Sequence, residues 1–199
     1  MKYTLIADGR SDTVLIPIID WSFRQFNVTS VGQCADLGRI PRQPSSDDQL
    51  KAVIDLYDCD VLFVHRDAEG QPADLRREQI AEYVVNAPRP HVPVVPVRMT
   101  EAWLLIDEAA IRSAAGNPNG TMQLNLPDIL RIETLPDPKR VLHDALTEAS
   151  GLNARRRARL PIHRRVHRIP DYISDYTRLN SLPAFQSLQR DIRALLDRR

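Results

Sequence analysis

Little in this sequence invites cross-linking or membrane insertion. Two cysteines, Cys34 and Cys59, stand far apart, with no Cys-x-x-Cys pairing and no histidine at metal-ligand spacing. Neither a disulfide scaffold nor a zinc site is signalled, and both read as free thiols of a reducing compartment. No stretch approaches the roughly 18 apolar residues that span a bilayer. The apolar run in MKYTLIADGR stops at Asp8, which is too soon for a signal peptide. The expectation is a cytoplasmic protein with no membrane partner. There is no P-loop and no GxGxxG, so a glycine-rich phosphate cradle is excluded. Fixed-period repeats and low-complexity tracts are absent as well.

What is present is ordinary for a folded chain: 43% hydrophobic and 27% charged residues over 199 positions, enough for one domain, or for one domain with a smaller helical appendage. Charge is unevenly divided. Residues 1–150 carry 15 basic and 22 acidic side chains, whereas residues 151–199 carry 12 and 4. An acidic body with a basic flank suits contact with a polyanion, although a solvated basic helix face explains the same division. The flank is densest at Arg155, Arg156, Arg157, Arg159, Arg164, Arg165 and Arg168, with His163 and His167 among them. This density suits a phosphate backbone, and the lack of an aromatic before Tyr172 leaves base stacking unsupported.

Periodicity gives the architecture. YTLIAD (3–8) reads as a strand, 11–26 as a helix capped by Ser11 and interrupted by Pro17, and 27–35 as a second strand. A capped helix follows at 45–57, then a nearly all-apolar strand at 60–67, a helix at 73–87, and an edge strand at 91–99 that tolerates its prolines. Strands alternating with helices at this spacing specify a parallel sheet covered on both faces. The expected fold is an α/β, Rossmann-like, four-stranded parallel sheet over residues 1–107, with a helical, basic C-terminal extension over 108–199 packed on it.

The chemistry concentrates at strand ends, where open parallel sheets bind ligands, at the switch point of strand order. Asp8 ends the first strand, Asp67 the third, Glu69 follows two residues on, and Glu101 follows the fourth. Converging carboxylates repel one another unless a cation is present. Mg²⁺ or Mn²⁺, hard ions with oxygen ligands, are the natural partners and serve phosphodiester chemistry. Taken singly, each residue has a plainer reading: Asp67 as a helix cap or loop acid, Asp8 as part of a turn, Asp12 and Glu101 as first-turn acids complementing a helix dipole. Arg10 and Arg66 flank the crevice and suit phosphate through the guanidinium fork, and Arg66 equally suits pairing with a neighbouring carboxylate. His65 alternates away from Arg66 and reads as a packed or hydrogen-bonded histidine.

ADGRSDTVLIPII resembles the first motif of Toprim domains, in which an acidic residue and a glycine close strand one. VHRDAEG resembles their Asp-x-Asp motif, and VPVRMTEAWLLID and LPAFQSL are similar to segments of domain-of-unknown-function family 4276. The resemblance covers nearly the whole chain. It implies that Asp8 takes the place of the general acid/base and that Asp67 and Glu69 take the place of the metal-binding pair, with Glu101 beside them. Two departures stand out: position 8 is Asp where Glu is usual, and position 69 is Glu where Asp is usual. The resemblance further implies a Mg²⁺- or Mn²⁺-dependent nuclease in a phage-defence or DNA-repair setting. Asp8, Asp67 and Glu69 would be its catalytic residues, and Arg10, Arg66, Arg156, Arg164 and Arg165 would bind nucleic acid, DNA before RNA. The alternative it leaves open is a catalytically inactive partner of an ATPase.

Overall fold

The computed structural model describes residues 1–7 and 9–198, and of Arg10 the backbone only. Asp8, the expected acid/base, therefore lies outside the described residues, as does the Arg10 side chain. The chain divides into two compact units, residues 1–97 with 183–199, and residues 98–182. The helix that ends the chain thus belongs with the sheet, whereas the sequence reading had placed it in the extension.

In the first unit, β1 (Lys2–Ile6), β2 (Val31–Cys34), β3 (Val61–His65) and β4 (His91–Val94) form an all-parallel sheet in the order β2-β1-β3-β4. The α/β expectation holds, with strands shorter than the apolar runs suggest. β4 ends at Val94 rather than near position 99, because Pro93 and Pro96 have no N–H to continue a ladder. The crossover helices are α1 (Leu15–Gln25), α2 (Ser46–Leu56) and α3 (Ala73–Tyr83). Pro17 is accommodated because a 3-10 turn, Arg10–Val14, carries the entry and α1 begins only at Leu15. The proline then falls in the first turn, where its missing N–H is not needed. Ser45 caps α2, its Oγ accepting from Asp48 N at 3.2 Å, with Asp47 and Asp48 in the first turn.

Period-two alternation sends the sheet's side chains into two layers. Tyr3 and Phe63 meet Phe23 of α1 on one face, with Tyr3 and Phe63 ring centroids 5.0 Å apart and Phe23 and Phe63 5.7 Å apart. Ile6, Leu62 and Val64 meet Leu50, Val53 and Ile80 of α2 and α3 on the other. The tyrosine also explains Gly32 of β2, since a Cβ there would stand 2.2 Å from Tyr3 Oη. The helix α8 (Pro183–Asp197) buries Phe185, Leu188, Ile192 and Leu195, and Phe185 packs on Trp21 of α1.

The second unit is built from helices and 3-10 turns: α4 (Glu108–Ala115), α5 (Pro138–Ala149), α6 (Ala154–Arg157) and α7 (Ile162–Arg168) follow a turn at Thr100–Leu104 that buries Trp103. Asp107 and Asp137 cap α4 and α5 through their side chains, and α4 ends at Gly116 with φ +85°. No helix among the described residues is long and apolar enough to cross a membrane.

Candidate metal and phosphate site

In the order β2-β1-β3-β4, β1 is followed by a crossover to one side and β2 by a crossover back past β1, so the switch point lies between β1 and β3. The segment after β3 is fixed there by the sheet itself. Arg66 N donates to Val94 O at 3.2 Å and Ala68 N to Pro96 O at 3.0 Å, so Asp67 is flanked by two ladder bonds. It does not cap α3, whose N-cap is Pro72, and the helix-cap reading of Asp67 falls away.

From the β1 side comes Asp12, in the 3-10 turn. One of its oxygens, Oδ2, accepts from Gly9 N at 3.1 Å, and the other, Oδ1, from Ser11 Oγ at 3.2 Å. The side chain therefore closes its own turn and is 9% exposed as a residue. Between the two carboxylates lies His65, 1% exposed. Its Nε2 is 3.5 Å from Asp67 Oδ1 and 3.8 Å from Asp12 Oδ2, while Nδ1 contacts Val94 O at 3.1 Å. A carbonyl only accepts, so Nδ1 carries a hydrogen. Nε2, when it too is protonated, bridges the two carboxylates. The histidine is packed and hydrogen-bonded as its strand position suggests, and it also sets where Asp67 points.

The remaining charged residues of the cleft, which encloses about 480 Å³, are Arg66, Glu69 and Arg76. Arg66 Nη1 donates to His65 O at 2.9 Å and the guanidinium lies over the Tyr83 ring, 5.6 Å from its centroid. Glu69 Oε2 accepts from Arg76 Nη2 at 2.9 Å. Glu101 belongs to the second unit, where its carboxylate is 3.7 Å from Lys139 Nζ. The sequence reading passed over Asp12 and Arg76 as members of the site. Asp12 looked like a helix-dipole acid, and Arg76 gives no signal beyond helical position.

The donor set suits a hard divalent ion, since Asp12 and Asp67 offer carboxylate oxygens toward the same imidazole nitrogen. It is incomplete as it stands. Among the described residues no group of three His, Cys, Asp or Glu side chains is arranged to hold a metal ion, and Glu69 is engaged by Arg76.

The basic section divides by use. Arg157 donates to Leu152 O and to Glu148 Oε2, and Arg165 donates to Ala114 O at 3.1 Å beside Gly116, at the carbonyl end of α4. Arg155, Arg156, Arg159 and Arg164 are exposed, and Arg168 lies over Tyr172. His163 meets His143 edge-on, with centroids 5.4 Å apart. Burial, then His163 and Lys139, lower the His143 pKa against the smaller opposing pull of Glu101 and Asp137. The unfolded chain therefore binds a proton at this position at higher pH than the folded one. Stability from this group is complete above the ordinary histidine value of about 6.5 and is lost as pH falls below it toward the folded value. His143→Gln is expected to flatten that part of the stability–pH curve in urea denaturation on either side of that value, and an unchanged curve would count against it.

No family model, curated protein or solved structure matches this chain.

Proposed function

We propose that this chain is a Toprim-type, metal-dependent phosphodiesterase acting on nucleic acid, with its chemistry in the cleft between β1 and β3. The observation that carries the reading is the meeting of Asp12 and Asp67 on a buried histidine at the switch point of a parallel sheet. A bound Mg²⁺ or Mn²⁺ supplies charge stabilisation at the phosphoryl oxygens of the scissile group. The chain's own residues do the rest. Asp67, Glu69 and Asp12 hold the ion, His65 orients Asp67, and the resemblance assigns proton transfer to Asp8. Arg156 and Arg164, with Arg155 and Arg159, are exposed cations for backbone phosphates, DNA being the preferred substrate. Arg165 is used within its own unit and is not assigned to substrate.

The test is incubation of the purified protein with end-labelled single- and double-stranded DNA and RNA, with Mn²⁺ and with chelator. Metal-dependent shortening of the label is expected. Intact nucleic acid in every condition would set aside the hydrolase and return the alternative, a non-catalytic partner of an ATPase in phage defence.

A further inference from the structure

Glu69 has φ +52° and is followed by Gly70 at +83°, so the reversal between β3 and α3 places a glutamate where L-residues are uncommon. Such positions persist where the surroundings determine them and gather at functional sites. The Glu69 side chain is 68% exposed, yet it is not free in solvent, because it accepts from Arg76 Nη2 at 2.9 Å. Arg76 is the better anchored of the two. It comes from the first turn of α3, its side chain is 19% exposed, and Nη1 donates to Gln79 Oε1 at 2.9 Å. Its Nε–H has no acceptor, an incomplete set for a group with five donors. The other arginine of the cleft with a described side chain, Arg66, is committed to His65 O and the Tyr83 ring.

We infer that Arg76 is the phosphodiester-binding residue of the cleft and that Glu69 stands in for the phosphodiester until substrate arrives. Guanidinium binds carboxylate and phosphodiester oxygens through the same forked geometry, so the two compete for it. A phosphodiester on Arg76 releases Glu69 to join Asp67 at the divalent ion, which completes the donor set only when substrate is present. This rests on the metal-dependent reading above and adds to it a regulation of the same site. By linkage, phosphodiester and metal then strengthen each other's binding by the same factor.

The test is the Mn²⁺ affinity, by calorimetry, of wild type, Arg76→Gln, Glu69→Gln and the double variant, each with and without dimethyl phosphate. An exposed ion pair is weak, so dimethyl phosphate is expected to tighten Mn²⁺ binding to wild type by about two- to fivefold. Arg76→Gln is expected to bind Mn²⁺ more tightly without the anion and to ignore the anion. That gain shrinks in the Glu69→Gln background, since the two residues act as one unit. Arg76→Lys, which keeps the charge and loses the fork, serves if the glutamine variant folds poorly. Wild type indifferent to dimethyl phosphate, or an equal gain in both backgrounds, overturns the gate alone. No Mn²⁺ binding by any variant overturns the metal-dependent reading, and the gate with it.

Discussion

Asp67→Asn is expected to weaken Mn²⁺ binding by at least roughly a hundredfold, the upper end of the loss seen when even the outer partners of metal ligands are removed. The substitution keeps the shape of the side chain and removes the charge that a hard cation needs. Its effect on folding should be small, because the backbone on either side is held by the Arg66–Val94 and Ala68–Pro96 bonds and the side chain is 28% exposed. Binding and any metal-dependent cleavage should disappear together while the thermal midpoint stays near wild type. Asp12→Asn offers a contrast. Asp12 closes its own turn by accepting from Gly9 N and Ser11 Oγ, so its loss should lower stability as well as affinity. Asp67→Asn with undiminished Mn²⁺ affinity would place the metal elsewhere.

Phe63→Ala is expected to cost about 3–5 kcal/mol of unfolding free energy, the range for deleting a buried aromatic ring. Phe63 is fully buried and its ring touches both Tyr3 and Phe23, so the cavity opens at the centre of the face between β1, β3 and α1. The same strand leads into His65 and Asp67, and loosening it misplaces groups whose positions matter to about 1 Å. Urea denaturation monitored by circular dichroism checks the stability change. A loss under about 1 kcal/mol, the scale of an ordinary surface-to-moderate substitution, would mean that this aromatic trio is not the keystone of its layer.

Much of the sheet was legible because its causes are local. The uninterrupted VLFV of β3 can only be a strand buried on both faces, and the Ser45 cap and first-turn acids announce α2. The strand ends were less legible, because prolines at 93 and 96 shorten a run that remains apolar. Membership of α8 in the sheet unit was hidden for a different reason. Its helical period shows a buried stripe but not which surface receives it, and only the packing of Phe185 on Trp21 reveals that. The site was legible as a place and not as a set of residues. Strand alternation puts His65 on the Phe63 face, yet nothing in spacing tells that a 3-10 turn carries Asp12 to the same nitrogen that Asp67 faces. Similarly, Arg76 reaches Glu69 only because the chain reverses through two left-handed residues.

The central claim is that the β1–β3 cleft binds a divalent cation. Calorimetric titration of the wild-type protein with Mn²⁺, repeated on Asp67→Asn, tests it most directly. The account predicts one saturable binding event for wild type that is lost in the variant. Heats equal to dilution for wild type up to millimolar metal, or equal binding by both proteins, would contradict it.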